Sequence, residues 1–279
     1  MKKLVLNLAF ISLTNVCFAQ KIKDFTKVPA LVKEAKKEKN IRLADSIAKN
    51  YINNYLFKLR KDNLLSKENL LFISENLGDT DSKGFKYFLK NRVLINSVLG
   101  KNKAEYAIKY AIAKQFIPKM ASDKSTPPNW LVIENELNNK FGSLGKEVVF
   151  GRMMLYYINN QDWSNFGKYY VLYFEMALER PEVNINDMSW YGVFEHINDS
   201  KILTFACDVV MKYAMEEWYQ NDWRAFDTYA NLLYKTGNIK QAIEWEEKAV
   251  KLSNNDKEIV ETLGKMKNNI KTWVETAKN

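Results

Sequence analysis

The stretch "DTYANLLYKTGNIKQAIEWEEKA", residues 227–249, decides the fold of this chain. Apolar residues recur at helical spacing on both sides of Gly237, and a glycine at that point accepts the left-handed conformation that ends a helix. Short side chains stand at Ala230, Ala242 and Ala249, where two helices can approach closely. The stretch therefore predicts two tightly packed antiparallel helices.

The same helical spacing continues along most of the chain after residue 41, whereas the alternation typical of strands is scarce. The pattern predicts an all-α fold of about twelve helices and no strand. Short connections make consecutive helices antiparallel neighbours, and a series of such pairs stacks into an α-solenoid. The predicted helices are 41–59, 67–77, 83–99, 103–117, 127–141, 144–159, 163–178, 188–197, 200–219, 223–235, 239–252 and 257–277.

Residues at the predicted helix ends carry start and stop signals. Side chains that can cap exposed N–H groups precede several helices, and they are Ser66, Asn102, Thr126, Asp162, Asp222 and Asn255 or Asp256. Glycines that favour the left-handed conformation follow others, and they are Gly78, Gly100, Gly142 and Gly237.

Residues 1–19 have the pattern of a secretory signal peptide. Two lysines precede an apolar run over residues 4–13, and the small residue Ala19 marks the expected cleavage point. The run is about half as long as a bilayer crossing requires, so no membrane anchor is expected. Cys17 would be the lipidation site of a lipoprotein, but Val16 before it is β-branched where such sites carry a small residue. The pattern predicts an exported protein.

Composition suggests how the remaining chain is organised. Residues 20–40 are rich in lysine and are interpreted as a partly ordered lead-in with a short helix over residues 30–37. The longest break between helices is "KMASDKSTPP" at 119–128. It is predicted to separate an N-terminal helical subdomain, 41–118, from a helical repeat region, 127–279.

The opening stretch resembles a tetratricopeptide repeat, in which large and small residues occupy fixed positions of a helical hairpin. The matching positions are Phe226, Tyr229, Ala230, Leu233, Gly237, Ala242 and Ala249. Glu246 and Asn254 depart from the aromatic residue and the proline that are usual there. Farther upstream, Trp163, Trp190 and Trp223 recur 27 and 33 residues apart, a spacing of about one hairpin per unit.

A wider resemblance covers most of the chain. "DWSNFGKYY", "NINDMSWYGVFE" and "DTYANLLYKTGNIKQAIEWEEKAVKL" resemble the helical tail of exported Gram-negative thioredoxin-family proteins, and "ADSIAKNYINNYL" and "FISENLGDTDSKGF" resemble its start. The thioredoxin domain itself, with its WCxxC motif, is absent from the sequence. The resemblance implies a helical scaffold in the periplasm or on the cell surface of a Gram-negative bacterium, with no redox residue to carry over.

Charge and composition exclude several functions. The formal charge is +9, and it falls to +7 when the two lysines of the predicted signal peptide are removed. Basic residues mostly alternate with acidic ones, which is typical of solvated helix faces. Nucleic acid is not expected as a partner, because the protein is predicted to be exported. Cys207 is the only cysteine beyond residue 19, so the exported chain has no internal disulfide. It is interpreted as a small buried core residue.

The usual catalytic and cofactor motifs are missing. His196 is the single histidine, so the sequence has too few histidines for a typical zinc site or for histidine-based catalysis. It is interpreted as a helix C-terminal residue whose ring meets the last carbonyls. No glycine-rich phosphate motif occurs. The acids of "MEEW" and "EWEEK" are interpreted as solvated faces rather than a glycosidase pair. No catalytic, cofactor-binding or metal-binding residue is therefore assigned, and enzymatic activity is not expected.

A stack of helical pairs presents a concave face that suits a peptide or a partner helix. The aromatic and basic side chains that we assign to such a face are Tyr169, Tyr173, Tyr229 and Lys235. The sequence thus predicts an exported scaffold that binds a protein or peptide in the cell envelope. The alternatives are a non-catalytic accessory to a separate thioredoxin-fold protein and, with no motif in its support, an envelope glycan hydrolase.

Overall fold

The computed structural model describes residues 24–117 and 128–274, and within these ranges the chain is all-α without a strand. The predicted signal peptide, residues 1–19, and nearly all of the predicted break at 119–128 lie outside the described residues. The chain divides into two compact units, Met1–Gln115 and Phe116–Asn279. No helix among the described residues combines the length and hydropathy that a membrane crossing would demand.

The N-terminal unit is a set of short helices joined by tight turns. In chain order they are α1 (Val28–Lys37), α2 (Ile41–Asn54), α3 (Lys61–Leu64), α4 (Lys67–Glu75), α5 (Lys83–Lys90), α6 (Arg92–Leu99) and α7 (Lys103–Phe116).

The lead-in segment is part of this unit's packing. α1 packs on α2, and it buries Val28, Val32 and Ala35 against its neighbour. The short helix expected at 30–37 is present and begins two residues earlier, before Pro29, which suits a first helical turn because it needs no N–H there. The predicted lead-in thus contributes a helix to the N-terminal unit.

Two predicted helices are shorter or broken in the structure. The helix predicted at 83–99 stops at Lys90, since Asn91 leaves the helical conformation and its Nδ2 donates to the Tyr87 carbonyl at 2.8 Å. The helix predicted at 41–59 ends at Asn54, and a 3₁₀ turn, Leu56–Lys58, follows it.

The C-terminal unit contains longer helices around one aromatic core. They are α8 (Trp130–Phe141), α9 (Ser143–Asn159), α10 (Trp163–Ala177), α11 (Ile185–Asp187 with the π-helical turn Met188–Phe194), α12 (Ser200–Phe205, Ala206–Met211 and Lys212–Glu217), α13 (Trp223–Lys235), α14 (Ile239–Leu252) and α15 (Lys257–Lys267). Consecutive helices such as α9 and α10 pack on each other, which is compatible with a helical repeat.

The hairpin of α13 and α14 has the packing that its sequence predicts. Ala230, Ala242 and Ala249 are all fully buried, and Gly237 adopts a φ of +87° at the turn. Large aromatic rings fill the space beside the alanines, since Trp245 of α14 lies edge-on to Phe226 at 5.1 Å. Short side chains at the crossing thus allow close helix contact, and the prediction of a tight hairpin is confirmed.

Most predicted terminal signals are confirmed, but the last helix is shorter than predicted. Gly78, Gly100 and Gly142, like Gly237, have positive φ, and Asp162, for example, accepts from the Asn165 N–H. α15 stops at Lys267 instead of residue 277. Asn269 there adopts a φ of 55°, and the Ile270 N–H closes the helix end on the Lys265 carbonyl at 2.8 Å.

Candidate functional site

A groove opens in the N-terminal unit, lined by α2, by α7 and by the turn that joins α4 to α5. Its volume is about 540 Å³, within the range of sites that enclose small molecules. The sequence does not reveal this groove, because its residues come from three segments that are distant along the chain.

The floor of the groove is built from short apolar side chains. Ala48 of α2 and Ala111 of α7 are buried there, and Ala107 is half-buried. Leu77 and Ile52 close the floor on the side of the α4–α5 turn and of α2. Because the alanines end at Cβ, they leave volume that larger residues in a close-packed interior would fill.

Hydrogen bonds hold the turn that forms one edge of the groove. Gly78 takes a φ of +76°, which lets the chain reverse directly after α4. The Thr80 N–H donates to Oε1 of Gln115 at 2.8 Å and so connects the turn to α7. Lys36 Nζ donates to Oδ1 of Asn76 at 2.9 Å and connects it to α1. The edge is therefore fixed from both sides before any ligand arrives.

Charged side chains surround this apolar floor. The exposed charged residues of the lining are Asp45, Lys49, Glu75, Asp79 and Lys114. No ion pair joins any of these side chains to another described residue, and Asp79 Oδ1 accepts from the Asp81 N–H at 3.2 Å. An apolar centre with a polar, charged rim is the usual anatomy of a protein interface.

An exposed aromatic ring stands at the wall of the groove. Tyr110 of α7 keeps 64% of its surface accessible, although tyrosine rings in folded proteins are usually half-buried or more. Tyrosine offers a large apolar face and a hydroxyl at low conformational cost, which explains its enrichment at interfaces. The groove can thus provide apolar, aromatic and ionic contacts to one bound segment.

The four residues assigned from sequence all lie in the C-terminal unit, where Tyr173 and Tyr229 belong to one hydrophobic core and Tyr169 packs against it. Tyr173 is fully buried, and its hydroxyl accepts from the Glu182 N–H at 2.7 Å. Tyr229 is 7% exposed, and burial raises the pKa of its hydroxyl to about 12. Tyr169 is half-buried and stacks on Tyr157 at 5.5 Å. These tyrosines mainly pack the interior of the unit.

Lys235 occupies a more unusual position. Its Nζ donates to the Phe194 carbonyl at 2.6 Å, and it lies 5.6 Å from the Phe194 ring and 5.8 Å from the Trp273 ring. Burial lowers the pKa of the ammonium to about 8, because no acidic group compensates for the lost hydration. The lysine therefore links the end of α13 to the end of α11.

His196 lies close to this lysine, and its ring does not meet helix-end carbonyls as the sequence suggested. It stacks on Trp163, with ring centroids 3.6 Å apart and planes within 9°. Its Nε2 is 3.7 Å from the Glu195 carboxylate. Burial lowers the imidazole pKa, Glu195 opposes that shift, and the charge of Lys235 adds to it. His196 is consequently a neutral packing partner of Trp163 at neutral pH.

The structure corrects the interpretation of one acidic stretch. Glu244 and Glu247 of "EWEEK" are exposed as expected, but Glu246 between them is fully buried. It faces Asp227 of α13, which is also buried. The exposed acids on either side of Glu246 concealed this pair. The one sequence signal for its burial is that Glu246 stands at the position that is usually aromatic in the repeat.

The described residues provide neither a reactive cysteine nor a cluster of metal ligands. Cys207 is fully buried, as the sequence predicted, and burial raises its thiol pKa to about 12. A thiol with that pKa holds very little nucleophilic thiolate at neutral pH. In residues 24–117 and 128–274, no group of three or more His, Cys, Asp or Glu side chains is arranged to hold a metal ion.

Comparisons with protein-family models, with curated proteins and with solved structures find no match for this chain.

Proposed function

We propose that this protein is an exported helical scaffold whose N-terminal groove binds a peptide segment of a partner protein in the cell envelope. The observation that carries the proposal is the groove itself, with a floor of alanines and a rim of exposed charged side chains. Binding in an apolar groove between helices is a recurrent mode of peptide recognition. The N-terminal sequence pattern supports export.

The contacts expected in the complex follow from the lining. Apolar side chains of the peptide would cover Ala48, Ala107 and Ala111, and its charged groups would pair with the rim. Because rim charges remain partly hydrated, they contribute more to specificity and association rate than to affinity. Most of the binding free energy would come from the apolar floor and from the ring of Tyr110.

A photo-crosslinking amino acid at position 110 tests this proposal. Tyr110 is replaced by p-benzoylphenylalanine in the full-length protein, which is irradiated in the native envelope. We expect a discrete covalent adduct whose crosslinked partner peptide is then identified by mass spectrometry. The matched control places the same residue at Tyr191, which is 57% exposed and belongs to the C-terminal unit. Equal yields of the same adduct from both positions would contradict the groove.

A second variant examines whether the groove volume matters. Ala107→Trp fills the floor with a ring at a half-buried position, so it blocks the groove with little effect on the core. Glu68→Trp adds the same ring at an exposed position outside the lining. We expect loss of the position-110 adduct only with Ala107→Trp. If a thioredoxin-fold protein is the partner, its peptide is found in the adduct, and this would support the accessory role.

A further inference from the structure

Two carboxyl groups meet inside the hairpin of α13 and α14. Asp227 is 9% exposed and Glu246 is fully buried. Asn231, one turn after Asp227, donates its Nδ2 to Oδ1 of Asp227 at 2.8 Å, which fixes that carboxyl. Neither oxygen of Glu246 receives a hydrogen bond from any other described group. The contact between the two acids becomes a hydrogen bond only when one of them carries a proton.

A buried acid elsewhere in the same unit shows what is missing here. Glu147 has a side chain that is 1% exposed, and the guanidinium of Arg180 approaches its Oε2 at 2.9 Å. Glu246 is buried as deeply, but no lysine or arginine forms an ion pair with it or with Asp227 among the described residues. A charge in such a position must be paired or neutralised. For Glu246 the available means is protonation.

The surrounding helices do not change this conclusion. From α15, Glu258 adds negative charge near Asp227. From α12, Asp208 and Glu216 act on the Tyr229 side of α13. From α11, the Phe194 carbonyl holds Lys235 at the opposite end of α13. Of these charges only that of Glu258 acts on the pair, and it favours the protonated form of Asp227. Lys267 of α15 pairs with the neighbouring Glu247 at 2.7 Å and not with Glu246.

We propose that a proton shared by Asp227 and Glu246 keeps α14 docked on α13, and that loss of this proton opens the hairpin. Both carboxyls then carry charge at a site where no cation neutralises them, and their repulsion separates the helices. The hairpin is thus a proton-sensitive element of the C-terminal unit. This inference is independent of the groove and of the partner that the groove binds.

The direction of the pH dependence follows from the pKa shifts. Burial, followed by the charge of Asp227, raises the pKa of Glu246 from 4.5 to about 9, and burial also raises the pKa of Asp227 above 3.8. The closed hairpin therefore retains protons that the open form releases. Stability from the pair is complete below pH 4, and it is lost as pH rises towards the folded pKa values.

Hydrogen exchange of the full-length protein measures this opening. Protection factors of α14 amides, corrected for intrinsic exchange rates, give the opening equilibrium constant at each pH. Release of one proton makes this constant rise about ten-fold from pH 7 to pH 8. We expect that rise in the wild type and in Glu244→Gln, an exposed acid-to-amide change on the same helix.

In Glu246→Gln, the amide donates to the Asp227 carboxylate permanently, so we expect an opening constant that does not vary over this interval. His196 and Lys235 are retained in every protein, so their own titration cancels in the comparison. If Glu246→Gln does not fold, Asp227→Asn provides the same permanent donor from α13. A wild type without the rise, or a folded amide variant that keeps it, would overturn the proposal.

Discussion

The Thr80 N–H donates to Oε1 of Gln115 at 2.8 Å, and this bond joins the turn beside the groove to α7. Thr80 is 9% exposed, so its N–H has little access to water when the acceptor is removed. We expect Gln115→Leu to lower the free energy of unfolding of the N-terminal unit by about 1 kcal/mol. Urea denaturation measures the change. Gln115→Glu keeps an acceptor and should remain close to the wild type; a comparable loss in both variants would refute this role of the bond.

Two glycines within helices should respond to alanine in opposite directions. A Cβ at Gly145 of α9 would lie 2.1 Å from the Leu137 backbone oxygen, whereas a Cβ at Gly264 of α15 meets nothing within 4 Å. Gly145→Ala should therefore destabilise the C-terminal unit by about 2 kcal/mol or more, since backbone must move. Gly264→Ala should stabilise it by about 0.5–1 kcal/mol.

Thermal denaturation followed by circular dichroism compares these two variants directly, because the chemical change is identical. Stabilisation in both, or destabilisation in both, would show that the close approach of α8 and α9 at Gly145 does not hold in solution.

Lys235 predicts a pH dependence of the opposite sign to the carboxyl pair. Its pKa is lowered from 10.5 to about 8 by burial, so the folded chain binds fewer protons at this site than the unfolded chain. Stability from this site rises with pH between 8 and 10.5. The wild type should therefore gain stability relative to Lys235→Met as the pH rises over that interval. The ratio of their unfolding constants should change by less than ten-fold per pH unit.

Urea titrations at pH 8 and pH 10 measure this difference. Lys240→Met removes an exposed lysine a few residues away and should show no such trend. A constant difference between wild type and Lys235→Met would mean that Lys235 is hydrated in the folded chain.

Export is tested by the N-terminus of the purified protein. We expect intact mass spectrometry of the chain from a Gram-negative periplasm to give a polypeptide that begins at Gln20, because the small residue Ala19 suits signal peptidase. Ala19→Arg should accumulate the precursor. Recovery of the wild type with residues 1–19 intact in the cytoplasmic fraction would reject the export prediction.

Local backbone chemistry explains why much of the fold could be read from the sequence. Gly142 and Gly237 follow helix ends as predicted, because a positive φ costs glycine little. Ala230 and Ala242 indicated the helix crossing, since each is buried only where a neighbouring helix approaches it. Such signals act over a few residues and need no knowledge of tertiary contacts.

The features that the sequence did not reveal depend on contacts between distant segments. Asn91 reads as an ordinary helical residue until its amide is seen to bind the Tyr87 carbonyl. Glu246 has exposed acids on both sides, so the pattern of acids alone does not show that the packing of α14 on α13 buries it. The groove arises from Ala48 and Ala111, which lie 63 residues apart in the chain. Periodicity within one helix contains none of this information.

The burial of Cys207 makes the protein convenient for spectroscopy. Its thiol has no accessible surface and a pKa of about 12, so maleimide reagents at neutral pH should leave it unmodified. In a chain that begins at Gln20 and so lacks Cys17, a cysteine introduced at Tyr110 or at Glu244 would then be the preferred labelling position without removal of Cys207. Fluorophores or spin labels at those two places would follow the groove and the hairpin separately, in an otherwise wild-type chain.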